Sequence, residues 1–113
     1  MKDISEGELQ KLRDRIRSQA AVGKYRVTIR AHAEMVEEGI SLEEVLEALR
    51  RGEIMEYYPE HRRGDCCLVS GKTGHGRHLH FFCTTSHPLL ILITVYEPRP
   101  PKWVTPRQRR NPV

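Results

Sequence analysis

Leu9, Leu12, Ile16 and Ala20 recur every three to four residues among charges, the period of a helix that buries one face. The spacing predicts a helix over residues 5–19, stopped by Gly23. Tyr25-Arg26-Val27-Thr28-Ile29 alternates instead and reads as a short strand. Residues 31–38 then form a second helical piece, with Gly39 placed as a left-handed cap. Ser41 opens a third, and Glu44 three residues later completes a capping box. Val45, Leu46 and Leu49 give it an apolar stripe and Gly52 ends it. The acidic residues of these two helices are expected on faces turned away from the sheet.

From Ile54 onward the pattern is that of β-structure. Residues 54–58 read as a strand closed by Pro59, and residues 65–70 as a second. A glycine-rich hairpin follows, Gly71-Lys72-Thr73-Gly74-His75-Gly76. Residues 77–83 and 89–97 are two further strands, separated by a turn containing Pro88. Short turns between consecutive strands predict an antiparallel meander. Residues 89–95 are apolar at both parities, which predicts the central strand. Pro98, Pro100 and Pro101 are expected to end regular structure. The fold class is therefore α+β, with N-terminal helices on one face of an antiparallel sheet of three to five strands. One domain is expected over residues 1–113: an N-terminal helix (1–24), a core (25–97) and a basic tail (98–113).

Composition narrows the class. A chain of 113 residues, 38% hydrophobic and 30% charged, has the make-up of a globular domain. Its longest apolar run, residues 89–95, is far short of the roughly 20 residues that span a bilayer. The N-terminus has no stretch of signal-peptide type, so no membrane association and a cytoplasmic location are expected. Cys66, Cys67 and Cys83 lack the spacing of a disulfide framework and are expected as free thiols. Six histidines raise the question of zinc, but no CxxC or HxxxH spacing is present, and no metal or other cofactor is expected.

Charge changes the picture further. Residues 31–53 carry seven acids against two bases, whereas residues 61–113 carry nine bases against two acids. A basic half of this kind attracts phosphate backbones or an acidic protein partner. Strand periodicity places Leu79, Phe81 and Cys83 on one face and His78, His80 and Phe82 on the other. In the last strand Ile91, Ile93 and Val95 share a face opposite Thr94 and Tyr96. The second face thus gathers His78, His80, Thr94 and Tyr96, with Arg62, Arg63, Lys72 and Arg99 at neighbouring strand ends. These are the parts of metal-free RNA cleavage. Histidine moves protons near neutral pH, tyrosine donates or orients one, and arginine neutralises charge building on phosphate. Arg62, Lys72, Arg77, His78, Arg99 and Lys102 are the candidate RNA-binding residues. Trp103 is expected to anchor the tail to the domain.

The stretch Ile29-Arg30-Ala31-His32-Ala33-Glu34-Met35, with Glu38-Gly39-Ile40-Ser41-Leu42-Glu43-Glu44-Val45 after it, resembles the opening of the bacterial DUF4258 family. Cys67-Leu68-Val69-Ser70-Gly71, Leu79-His80-Phe81 and Ile93-Thr94-Val95-Tyr96-Glu97-Pro98 resemble its strand motifs, and Lys102-Trp103 follows in order. The likeness runs over about residues 25–110. The family's strand order and length are similar to those of RelE/ParE- and BrnT-type toxins of bacterial toxin–antitoxin pairs. The resemblance implies an endoribonuclease toxin acting on messenger RNA, free or on the ribosome, and a cognate antitoxin of zinc-finger or helix-turn-helix type. It implies His32, His80 and Tyr96 as catalytic residues; Arg63 is added as a catalytic candidate by the reading of a turn before a strand, not by the resemblance. His78 stands where the family often has proline.

Two other readings stay open on the residues alone. A non-catalytic module would hold RNA or a protein through the same basic face. A metal-dependent hydrolase would use His78, His80 and a carboxylate such as Asp65.

Overall fold

Ser5 accepts a hydrogen bond from the Glu8 amide and starts α1 (Glu6–Ala21), whose Ile16 and Ala20 are buried. The computed structural model describes residues 4–62, 64–86, 88–100 and 103–109. Gly23, at φ 79°, turns the chain out of the helix into β1 (Tyr25–Val27). Thr28 then caps α2 (Ile29–Glu38), accepting from the Ala31 amide, so this helix begins earlier than apolar periodicity predicts. Ile29, which reads as the end of a strand, is the first residue of the helix and 91% exposed. Gly39 is the left-handed cap (φ 64°), and Ser41 and Glu44 form the capping box of α3 (Leu42–Arg50).

Four strands follow: β2 (Glu53–Tyr58), β3 (Cys66–Lys72), β4 (His78–Thr84) and β5 (Leu90–Tyr96). The sheet order is β1-β5-β4-β3-β2, so β4 is central and β5 lies beside it. The sheet is mixed rather than antiparallel, because β1 runs parallel to β5, with Tyr25 opposite Leu90 and Val27 opposite Leu92. That pairing is long-range and leaves no mark on the local pattern.

The helices cover one face of the sheet. Ile16, Ala31, Met35, Val45 and Leu49 meet Cys67, Val69, Leu79, Phe81, Leu90, Leu92 and Val95 in one core. Contact between α3 and β3 is close: a Cβ on Gly71 would lie 2.1 Å from the Ala48 carbonyl oxygen. The three cysteines are free and buried, and the Cys67 and Cys83 sulfurs lie 3.8 Å apart across β3 and β4. Hydrogen bonding with the neighbouring Cys67, and then burial, push the Cys83 thiol up.

A β-bulge corrects the expected facing of β5. Phe82 lies opposite Thr94 but Cys83 opposite Leu92, so Ile93 is an extra residue in the ladder. Leu90, Leu92 and Val95 therefore join the helix-side core, while Ile93, Thr94 and Tyr96 line the opposite face. Ile91, Ile93 and Val95 do not share a face.

The acidic residues also depart from expectation. Past the end of β1, the Val95 and Glu97 amides lack a strand partner; Glu34 and Glu38 of α2 accept them, each at 3.1 Å. Four residues of helix advance about 6 Å and two of strand about 6.6 Å, so side chains at i and i+4 match alternate strand amides. Glu44 and Glu97 hold Arg77, whose guanidinium also donates to the Gly39 and Glu38 carbonyls.

Regular structure resumes after Pro98 and Pro100, and Pro101 lies outside the described residues. β6 (Trp103–Thr105) and β7 (Gln108–Arg109) form a hairpin, and Trp103 is 2% exposed. Among the described residues no helix is long and apolar enough to cross a membrane.

Candidate functional site

The uncovered face of the sheet is shaped by the hairpin. His80 and Tyr96 are register partners on β4 and β5, which sets their rings side by side, 5.3 Å between centroids. Trp103 meets His80 edge-on at 4.4 Å, and the Pro106 carbonyl, in the hairpin turn, lies 2.6 Å from His80 Nε2. The hairpin leaves His80 0% exposed.

These contacts fix the histidine's tautomer. A carbonyl has no proton to give, so Nε2 carries the hydrogen and donates to Pro106. Nδ1 is then the acceptor, and the Tyr96 hydroxyl, 3.2 Å away, donates to it. Burial pushes the His80 pKa down; the Pro106 hydrogen bond opposes this and the Arg109 charge adds to it. Burial likewise pushes the Tyr96 phenol up, offset in part by the Arg109 charge. The Trp103 indole nitrogen is buried with no acceptor in hydrogen-bonding geometry among the described residues.

Tyr96, unlike His80, opens into a groove of about 630 Å³. Thr28, Ile29 and Arg30 at the start of α2 form one wall, and Tyr58, His61 and Arg62 form the other. Leu68, Phe82, Ile93 and Thr94 are the floor, and Arg109 enters from the hairpin. Arg109 lies 4.6 Å over the Trp103 ring and donates to both oxygens of Glu56, at 2.5 and 2.8 Å. This pair holds the Glu56 carboxyl below its usual range and raises Arg109. Tyr58 donates to the same carboxylate; its own phenol is raised by burial and by Glu56. His61 sits edge-on to Phe82 at 5.3 Å. Arg62 is exposed, and Arg30 approaches Glu34 at 3.7 Å.

A model of the family described as Domain of unknown function (DUF4258) matches residues 29–97. The chain belongs to that family. The DUF4258 segment runs from the first residue of α2 to just past β5, so it contains His80 and Tyr96 but not the hairpin that covers His80. No curated protein and no solved structure matches the chain.

The structure brings some of the predicted residues together and separates others. His80 and Tyr96 touch, and Arg62 lines the same groove. His32 is exposed on α2 and is not among the residues lining it. Arg77 is absorbed by its four partners, and Arg99 pairs with Glu97 at 2.8 Å and Glu38 at 3.8 Å. Lys72 and His78 are opposite each other at the other end of β3 and β4. Arg63 and Lys102 lie outside the described residues. Among the described residues, no three His, Cys, Asp or Glu side chains converge as a metal site, so His78, His80 and Asp65 do not form one.

Glu56, Tyr58, His61, Arg30 and Arg109 are the groove residues that sequence reasoning missed. The alternation of Glu56 with Tyr58 in a strand was the available signal for two of them. Arg109 had none, since its place depends on the hairpin.

Proposed function

We propose that the chain is a metal-independent endoribonuclease of toxin type that takes single-stranded RNA into the groove beside Tyr96. The observation that carries the reading is a groove-lining tyrosine whose proton is directed onto a buried, neutral imidazole, with arginines on the surrounding walls. Tyr96 touches the substrate. Its oxygen takes up the proton of the attacking 2′-hydroxyl as its own moves toward His80 Nδ1. His80 acts through Tyr96: burial pushes its pKa down and so favours the uncharged imidazole, whose Nδ1 faces the tyrosine hydroxyl. Arg62 and Arg30 neutralise the phosphate, and His61 on the groove wall is the group positioned to protonate the leaving 5′-oxygen. A cytoplasmic setting and an antitoxin that covers the groove belong to the same proposal, since an unrestrained ribonuclease harms its host.

Growth is measured after induction of the wild type, Tyr96→Phe and His80→Asn, with total RNA read from each culture. Arrest with fragmented RNA in the wild type, lost in both folded variants, is the expected result. Intact RNA in an arrested or normally growing wild-type culture would refute cleavage.

One observation favours a second reading, in which the groove binds RNA without cutting it. Arg109 is already neutralised by Glu56, which leaves fewer cations for a transition state than the lining suggests. Salt-sensitive RNA binding without product would select this alternative.

A further inference from the structure

Beyond the groove, the same sheet face carries a second concavity on the other side of the hairpin, of about 140 Å³. Arg51, Glu53, Ser70, Lys72, His78 and Arg107 line it. Three elements converge there: the end of α3, the far end of the β3–β4 ladder, and the β6–β7 turn.

Its electrostatics separate it from an ordinary charged surface. Arg13, Arg17, Arg30, Arg77, Arg99 and Arg109 all have carboxylate partners. Among the described residues no carboxylate pairs with Arg51, Lys72 or Arg107. The one carboxylate in the lining, Glu53, is held from α1 by Arg17 at 3.0 Å and Arg13 at 3.6 Å. Three cations therefore face a shared hollow whose only anion among the described residues is already neutralised. Ser70 and His78 add hydrogen-bonding groups to its lining.

The geometry points to a phosphate-binding subsite for the RNA strand held in the groove, formed by Arg51, Lys72 and Arg107. The inference rests on the RNA reading above and deepens it. Lys72/His78, Ser70/His80 and Leu68/Phe82 are successive same-face pairs of the β3–β4 ladder. Four residues of strand separate the first pair from the last, about 13 Å. The hairpin covers the middle pair, with His80 0% exposed, so a strand passing over the hairpin places a later phosphate on the three cations while an earlier one lies in the groove. The hairpin sends one arginine to each side, Arg109 to the groove and Arg107 to the subsite.

The test uses the full chain and a labelled oligouridine whose 2′-hydroxyls are methylated so that it cannot be cut, with affinity measured across a salt series. Each phosphate contact contributes about 0.7 to the slope of log affinity against log salt on a single strand. Arg51→Gln/Arg107→Gln is expected to lower the slope by about 1.4 and affinity several-fold, while Arg26→Gln, on edge strand β1, changes neither. Arg62→Gln reports on the groove separately. If Arg62→Gln lowers the slope and the double variant does not, the subsite is wrong and the groove reading survives. If only the double variant lowers it, the subsite stands and the groove reading falls. No binding by the wild type overturns both. Tight binding of inorganic phosphate that needs Arg51 and Arg107, with an unchanged RNA slope, would assign the hollow to a free anion instead and overturn the inference.

Discussion

Trp103→Ala asks whether the hairpin is part of the domain's cooperative core or a strap laid over it. An indole that is 2% exposed removes about 200 Å² from water, worth about 5 kcal/mol at ~25 cal/mol per Å². The other described attachments are smaller. The Arg109–Glu56 pair has side chains 38% and 25% exposed, so solvent screening limits it to about 1 kcal/mol. The His80–Pro106 hydrogen bond adds about 1 kcal/mol. A two-stranded hairpin is at best marginal on its own. Removing the indole therefore takes away more than the remaining contacts supply, and the hairpin should leave the sheet while the helix-side core stays folded. Amide exchange and urea denaturation distinguish the cases. The expected result is loss of protection in residues 103–105 and 108–109, with the unfolding free energy of the sheet changed by less than about 1 kcal/mol. His80, freed from burial, should titrate closer to an ordinary histidine by NMR. Retained hairpin protection together with a global loss of about 3–5 kcal/mol, the usual cost of a large aromatic truncated in a core, would refute the reasoning.

Three further outcomes are expected. Gly71→Ala forces a Cβ to 2.1 Å from the Ala48 carbonyl oxygen, so α3 must lift from β3; a loss of about 3 kcal/mol in urea unfolding checks it. Arg77→Met takes one donor from Glu44 and one from Glu97, which keep Ser41 and Arg99, and removes the donor to two carbonyls; it should cost about 2 kcal/mol at neutral pH, with both carboxylates titrating higher by NMR. His80 has a folded pKa below its unfolded value, so the unfolded chain binds the extra proton. Stability attributable to it is full above about pH 6.5 and falls as pH drops toward the folded pKa. His80→Asn should flatten that segment of the stability–pH curve, and an unchanged segment would count against burial as the cause.

Local signals were legible in the sequence and non-local ones were not. Ser41 with Glu44, Gly39 and Gly23 act within a few residues of themselves, and each sits where its chemistry requires. His80 and Tyr96 were placed on one face by strand alternation, and the register makes them neighbours. The same alternation failed for Val95 because the bulge at Ile93 inserts one residue, and a bulge is set by the partner strand. Parallel pairing of β1 with β5 depends on two segments about 65 residues apart. The hairpin was hidden because Pro98 and Pro100 interrupt the strand pattern along the sequence, while the buried Trp103 that brings the chain back to the sheet is a non-local contact. With the hairpin unseen, the burial of His80 and the arrival of Arg107 and Arg109 could not be read. Arg77 looked like a solvent-facing cation because its partners Glu44 and Glu97 come from elements distant in the chain, as does Glu38, the second partner of Arg99.

The acceptance of the Val95 and Glu97 amides by Glu34 and Glu38 bears on colloidal behaviour. A sheet edge that stops short, as β1 does, leaves a row of backbone donors able to recruit a strand from another molecule. Two carboxylates four residues apart on a helix occupy that row without adding a strand, and their charge repels a second sheet approaching the same edge. Losing both to alanine would leave the fold's interior untouched while opening a sticky margin, and its first symptom would be concentration-dependent aggregation rather than unfolding.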